Sequence, residues 1–399
     1  MSESQMFNSQ DIKNKRVLLR ADLNIKSHNK KMTQNYKLTS LLPTIDELLK
    51  RDAKVVIATH IGRPKKSSLE LSTKQLMHWF EKKGYTIVFE PDLKKAHEKS
   101  LKNNKQLLLL ENLRFFPGEQ STSQYERDQF INQLTTLADL YVNDAFGVLH
   151  RNDASITDLP KKFEPSQRTF GPLIQKELAM LDKLLGKVKT PFLCIIGGKK
   201  ATTKVPIIEH LLDTASTIAL CPALVFTFLK VQGEEVGNSL VDESALTQAL
   251  HIIKVARQKG VSLLFPVDYE VSQSTTNNEL HVFSAKKFPY NAVGITIGPK
   301  TVKSYIRYIE EAQTILFNGL SGFTQYPETL HAIGEIFKAM EESHGTTIIA
   351  GGDSVAAAQQ LGFDKKITHL STGGGATLAY LSEKKLPGLE ALNIIRNKK

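Results

Sequence analysis

Residues 348–361 read IIAGGDSVAAAQQL. A β-branched apolar pair stops at Gly351 and Gly352, an acid and a hydroxyl follow as Asp353 and Ser354, and a run of alanines then opens a helix. A strand that enters a helix through two glycines leaves backbone N–H groups facing outward at the positive helix end. Such an end suits an anion, usually a phosphate. Asp353, in the first helical turn, is placed to carry a metal ion alongside phosphates. The same letters also spell an ordinary helix start, with glycine for the turn and Asp or Ser as caps. The rest of the chain decides between the two.

Strand, turn and helix alternate along nearly the whole sequence. RVLLRADL, KVVIATHI, YTIVFE, LLLLENL and LYVNDAF read as strands in the first half. PFLCIIGG, TIALC, SLLFPVD, AVGITIG, TILFNG, TTIIAGG and ITHLSTGG read the same way in the second. Helical patterns such as KLTSLLPTIDELLKR and KVPIIEHLLDTA lie between them. Apolar strands alternating with helices imply parallel sheets covered on both faces, with ligands beyond the carboxyl ends of the strands. At 399 residues the chain is long enough for two domains. The boundary falls in FEPSQRTFGPLIQKELAMLDKLLGKVKTP, residues 163–191, read as a connecting helix. The expected fold is α/β: two Rossmann-like parallel-sheet lobes, residues 1–170 and 187–378, joined by a helix over 171–186, with 379–399 as a C-terminal segment.

Composition narrows the function. Hydrophobic residues make up 41% and charged residues 23%, as in a soluble globular protein. No apolar stretch reaches membrane-spanning length, the N-terminus lacks a signal-peptide core, and Cys194 and Cys221 lie in apolar runs without metal-ligand spacing. A cytoplasmic protein is expected. The net charge of +11 suits a nucleic acid, a membrane surface or a small anion. No basic stripe is interleaved with aromatics, which argues against nucleic acid. Lysine-rich pieces such as KNKR, KKAHEKSLKNNK and RNKK read as solvated faces or ends.

The other basic residues cluster by position. Arg20, Asp22 and Asn24, His60 and Arg63, Arg114, and His150 and Arg151 each follow an apolar run at its carboxyl end. In a parallel sheet these converge on one edge, and convergent guanidinium forks suit phosphate and carboxylate. A small, doubly anionic substrate fits best. In the second half, IIGGKKATTKVPII sets Lys200 and Lys204 one turn apart at a strand-to-helix junction, and STGGGATL is a second glycine-rich turn. Two helix ends and two lysines can surround a transferring phosphoryl group, whose stabilisation is chiefly electrostatic.

Taken in order, VLLRADLN, LLPTIDELL, THIGRP, ENLRFFPGE, YVNDAFGVLHR, PFLCIIGGKKATTK, FNGLSGF, AGGDS, HLSTGGGATL and KKLPGLEAL make the chain similar to the phosphoglycerate kinases over almost its whole length. The resemblance implies two α/β lobes with a cleft between them that close on each other, a C-terminal segment returning to the first lobe, and a monomer. It implies reversible phosphoryl transfer between 1,3-bisphosphoglycerate with ADP and 3-phosphoglycerate with ATP, in glycolysis, with Mg2+. Carried over by position, Asp22, Leu23, Asn24, Lys37, His60, Ile61, Gly62, Arg63, Arg114 and Arg151 would hold the phosphoglycerate. Lys204, Asn318, Gln325, Gly351, Gly352, Asp353 and Ser354 would hold the nucleotide, with Asp353 at the metal. Lys37, Lys200, Gly351 and Gly374 would form the catalytic set, Lys200 on the phosphoryl group in flight and Gly373 and Gly374 lending N–H groups to the transition state.

Departures from the family pattern gather on the nucleotide side. Lys37 stands where the family has an arginine, keeping the charge without the fork. Cys221, Pro222 and Ala223 replace a glycine turn against adenine, which implies either a reshaped pocket or weaker nucleotide binding. Gln325 stands for a ribose-binding glutamate, Thr296 for the aspartate of a DIG motif, and Thr203 for an aspartate beside the second lysine. The alternative reading is a related ligand-binding protein that has lost catalysis.

Overall fold

The computed structural model describes residues 11–25, 36–102, 106–274, 279–383 and 385–393. The chain divides into two units, one running through Ala179 and taking in the residues from Lys385 on, the other running from Met180 to Lys384. The division falls inside helix Pro172–Leu185.

The first unit is built on six parallel strands: β1 (Arg16–Ala21), β2 (Lys54–Ala58), β3 (Ile87–Glu90), β4 (Leu107–Leu110), β5 (Leu140–Asp144) and β6 (Arg168–Phe170), in the order β3-β4-β2-β1-β5-β6. Apolar side chains on both faces of β1 are sealed, as a strand between two helical layers requires. Helix Leu42–Lys50 has Pro43 in its first turn and buries Thr44, Ile45 and Leu48, one face at helical spacing. The sheet is wound outward from β1, through β2 on one side and β5 on the other. The reversal between β1 and β5 opens a crevice beyond their carboxyl ends.

At that reversal Asp144 closes β5. Its carboxylate accepts the N–H of Ile174 at 2.9 Å and, more loosely, that of Leu173 at 3.4 Å, as well as the hydroxyl of Thr44. A side chain on Gly171 would land 2.4 Å from the carboxylate carbon, so glycine is required there. The C-terminal piece, helix Pro387–Ala391, packs within the same unit. Gly388 donates its N–H to Leu149 O at 2.9 Å, and a Cβ there would fall 2.6 Å from Leu149 Cδ2.

The second unit contains β7 (Phe192–Gly198), β8 (Thr217–Ala223), β9 (Ser262–Leu264), β10 (Asp268–Ser272), β11 (His281–Ser284), β12 (Val293–Ile297), β13 (Thr314–Asn318), β14 (Thr346–Ala350) and β15 (His369–Leu370). Six form a parallel sheet in the order β15-β14-β13-β7-β8-β9, with its own reversal between β7 and β13. The other three form a separate antiparallel sheet, β11-β10-β12.

This small sheet corrects part of the sequence reading. SLLFPVD, taken as one strand, breaks at Pro266 into β9 and the start of β10, because proline has no N–H for a ladder. AVGITIG forms a strand, but β12 pairs antiparallel with β10 instead of joining the parallel sheet. Neither β6 nor β11 was anticipated: β6 is three residues long, and every residue of β11 is exposed. The RNKK tail lies outside the described residues. Among the described residues, no helix is long and apolar enough to cross a membrane.

Candidate active site

In the first unit, the loops after β1, β2, β4 and β5 carry the residues expected to hold an anion. The chain leaving β1 is pinned to the loop after β2, since Leu23 N–H donates to Thr59 Oγ1 at 3.0 Å and Gly62 N–H to Asn24 Oδ1 at 2.8 Å. Gly62 sits at φ +65°, where a side chain would be strained and would strike Leu71. Asn112, buried after β4, donates to the carbonyls of Ile61 and Leu71, both at 2.8 Å. Leu23 and Ile61 are core residues, so backbone is what they have to offer a ligand.

Lys37 Nζ donates to Asp22 Oδ2 at 2.6 Å. Burial alone would raise the Asp22 carboxyl, but Lys37, by its charge and its hydrogen bond, and Arg20 outweigh it and bring it down to about 2. Arg114 is anchored by Nη1 to Gly62 O at 2.6 Å and by Nη2 to Asp153 Oδ2 at 3.1 Å. Arg63 is exposed and Arg151 half-buried. Burial, followed by the charge of Arg114, lowers the Arg151 guanidinium, while Asp153 and Asp22 act against that. The structure thus brings Asp22, Asn24, Lys37, His60, Arg114 and Arg151 into one electrostatic neighbourhood at the carboxyl edge.

Arg20 does not join that group as a ligand. It points into the core with no exposed surface, donating Nε to Ser155 Oγ at 2.8 Å and Nη1 to Ala21 O at 2.6 Å, with Glu119 at 3.7 Å. Its position inside the strand places it under the site, where it faces His60 Nδ1 at 3.5 Å. His60 is itself fully buried, and its Nε2 has no hydrogen-bond partner among the described residues. Burial, then Arg20, holds the ring well below the usual histidine range, so His60 is neutral. Glu119 accepts from the N–H and hydroxyl of Ser155, at 2.9 and 2.7 Å, yet burial lifts its carboxyl to about 7. Sequence reasoning missed Glu119, Ser155 and Asp153. The only local signal, an acid in an otherwise apolar, glycine-containing stretch, concerned Glu119 alone.

In the second unit, the loops after β7, β13, β14 and β15 meet at the carboxyl edge. Gly319 at φ +100° would put a Cβ 2.1 Å from Gly197 O, and Gly197 would put one 2.6 Å from Gly319 O, so the two loops touch backbone to backbone. Lys204, on helix Ala201–Leu211, is only 8% exposed and donates to Asn318 Oδ1, whose amide in turn donates to Ala350 O at 3.1 Å. Burial lowers the Lys204 ammonium to about 8, with Asp353 opposing. Ser354, buried in helix Gly352–Leu361, accepts the Gly319 N–H at 3.1 Å. Gly351 is at φ +102°, and a Cβ on Gly374 would lie 3.9 Å from Gly352 N, so the two glycine turns adjoin.

Lys200, Gly352 and Asp353 are exposed at the helix starts. Gln325 is exposed in the loop after β13, where Thr324 O accepts from Gln360 at 3.2 Å. Thr203 is exposed, with its hydroxyl turned back to Lys200 O at 2.8 Å, and Thr296 is buried against the Ser321 hydroxyl at 3.1 Å. Where a glycine turn was the family pattern, β8 runs on through Cys221 and Pro222 to Ala223 and enters helix Leu224–Lys230 at once. Cys221 is fully buried, and the bare Gly197 makes room for it, since a Cβ there would lie 3.1 Å from Cys221 Cβ.

Residues 7–384 match the family model for phosphoglycerate kinase. The chain belongs to the phosphoglycerate kinase family. It is 38% identical over 393 residues to a phosphoglycerate kinase of Clostridium botulinum, covering 96% of this chain and 97% of that one. It is equally 38% identical over 392 residues to a cytosolic phosphoglycerate kinase of Triticum aestivum, covering 96% of each. Among solved structures it is similar to the phosphoglycerate kinase of Pyrococcus horikoshii, with a TM-score of 0.83 at 26% identity over 97% of this chain and 98% of that one. The Coxiella burnetii enzyme gives 0.79 at 28% over the same shares. The family and the α/β fold agree with the motif reading, a kinase that transfers a phosphoryl group. Nothing in these comparisons favours the catalytically impaired alternative.

Proposed function

We propose that the first unit holds 3-phosphoglycerate and the second holds ATP or ADP, and that the chain moves a phosphoryl group between the nucleotide and the substrate carboxylate. Lys204 carries this reading. Among the described residues, this lysine, nine-tenths buried and fixed by one neutral amide, has lost water without gaining a formal counter-charge in contact, a state that a bound phosphate would relieve. The adjoining turns at Gly351–Gly352 and Gly374 offer N–H groups on the same side.

In this reading Lys37, Arg63, Arg114 and Arg151 engage the phosphate and carboxylate of the substrate, and Asn24 orients it. Lys200, Gly351 and Gly374 stabilise the charge that spreads over the phosphoryl oxygens in flight. Asn318, Ser354 and Gln325 complete the nucleotide site. Among the described residues no three His, Cys, Asp or Glu side chains converge. A lone carboxylate, Asp353, suits a magnesium ion that takes its remaining ligands from phosphate and water. When bound, that ion would neutralise phosphate charge. Transfer requires the two lobes to bring substrate and nucleotide together and shut out water, the closure that the resemblance implies. A cytoplasmic monomer without nucleic-acid partners completes the proposal.

The test is a coupled assay of 3-phosphoglycerate phosphorylation with magnesium and ATP, GTP or other nucleotides in turn. Turnover with any of them is the expected result, and the preferred base reports on the Cys221–Pro222–Ala223 segment. Calorimetric binding of 3-phosphoglycerate without turnover on any nucleotide would overturn it.

A further inference from the structure

Asp153 stands at the start of helix Ala154–Thr157, where an aspartate ordinarily accepts an N–H of the first turn. Its side chain makes no such bond. The carboxylate turns away instead: Oδ2 accepts from Arg114 Nη2 at 3.1 Å and Oδ1 from Gln120 Nε2 at 3.0 Å. The ion pair is almost dry, with side chains 1% and 6% exposed. Arg114 Nη1 is meanwhile held by Gly62 O at 2.6 Å, and Nε is buried with no partner among the described residues. Both arms of the guanidinium are therefore engaged from within the protein, one of them by a full negative charge.

Such an arginine differs from an open one in two ways. An entering anion meets a carboxylate already on Nη2, so part of the attraction is cancelled at short range. The guanidinium also has two of its five N–H donors already taken, which leaves fewer for the anion. A ligand with further handles tolerates this, because the exposed Arg63 and the half-buried Arg151 can meet its other groups. A bare inorganic oxyanion has only its charge and loses most.

We propose that Asp153 is a specificity-determining residue of the phosphoglycerate site, holding Arg114 partly neutralised so that small inorganic oxyanions are disfavoured relative to the organic phosphate. Asp153 acts through Arg114 and does not touch the substrate. The inference rests on the reading of Arg114 as a phosphoglycerate ligand.

Three variants separate the possibilities, each followed by 3-phosphoglycerate kinetics, competitive inhibition by inorganic sulfate and calorimetric binding of 3-phosphoglycerate. Arg114→Ala tests the underlying reading: unchanged 3-phosphoglycerate affinity would refute that reading and the proposal with it. With that affinity lost, Asp153→Asn is expected to lower the sulfate inhibition constant roughly tenfold and the KM for 3-phosphoglycerate only about threefold, with no gain in kcat. A merely structural Asp153 predicts the opposite sign, since a loosened Arg114 would weaken both ligands, and that result overturns the proposal. Gln120→Leu, at an exposed position, removes the competing donor and leaves the carboxylate to Arg114 alone. The sulfate constant should then rise about twofold with the KM for 3-phosphoglycerate nearly unchanged, and an equal rise in both, or an unchanged or lower sulfate constant, counts against the proposal even if Asp153→Asn does not fold.

Discussion

Lys37 Nζ lies 2.6 Å from Asp22 Oδ2, and the pair sits where the resemblance places a catalytic arginine. One N–H of the ammonium is thereby turned to an internal acid, which leaves fewer donors for substrate oxygens than a guanidinium would have. Lys37→Ala should raise the KM for 3-phosphoglycerate roughly tenfold, by loss of a charge-assisted contact. Lys37→Arg, which can serve Asp22 and the substrate together, should raise kcat a few-fold. Steady-state kinetics on the two variants check both statements, and a slower Lys37→Arg enzyme would show that a point charge suffices.

The buried ammonium of Lys204 gives a pH dependence with a definite sign. Its folded value of about 8 lies below the ordinary 10.5, so between them the unfolded chain binds the extra proton. Stability therefore rises with pH across that window, and the cost of the buried charge is fully present below about 8. Nucleotide phosphates favour the charged form, so binding should take up a proton above that pH. Calorimetry of ADP binding in two buffers of different ionisation enthalpy measures this uptake, and Lys204→Met should abolish it.

Glu119 predicts the reverse trend. Burial, with Asp153 adding to it, lifts its carboxyl from 4.5 to about 7 against the pull of Arg20 and Ser155. The folded protein then holds the proton more tightly than the unfolded chain, so its contribution to stability is lost as pH rises from 4.5 through about 7. Glu119→Gln removes this segment of the curve. Relative to wild type, the variant should gain on the order of 3 kcal/mol across the window, read from denaturant midpoints at each pH. The difference between the two proteins cancels the histidine and Asp144 titrations that overlap it.

Two glycines of the second unit should respond differently. Gly319→Ala meets Gly197 O at 2.1 Å and a φ of +100°, so a loss of about 2–4 kcal/mol in unfolding free energy is expected. Gly352→Ala meets nothing within 4 Å and lies at a helix start, so stability should change by less than about 0.5 kcal/mol. If phosphates approach that turn, the added methyl should still weaken ADP binding several-fold. Thermal unfolding and ADP titration of the same two proteins separate packing from function.

Much of the fold was legible because strand and helix periodicities are local. LLLLENL and TILFNG, short apolar runs ending at turn residues, read as buried strands, and GGDSVAAA reads as a turn that starts a helix. Positions just past the strand ends followed from the parallel arrangement, which is why Asp22, Arg114, Lys204 and Gly351 could be placed near the carboxyl edges of the sheets. Pairing partners were not local. Nothing within AVGITIG says that it pairs antiparallel with β10, since apolar alternation is the same in either sheet. The direction of a side chain was equally out of reach, as Arg20 shows: a basic residue at a strand end faces the core because Glu119 and Ser155, far along the chain, wait there.

The sequence by itself determined the α/β alternation, the family and the basic, glycine-rich character of the two carboxyl edges, since each depends on short runs of residues in a fixed order. Only the tertiary structure decided which charges are paired inside the protein. Arg20 with Glu119, Lys37 with Asp22 and Arg114 with Asp153 are pairs made between distant segments. Burial sets their charge states, and burial exists only once the chain has packed.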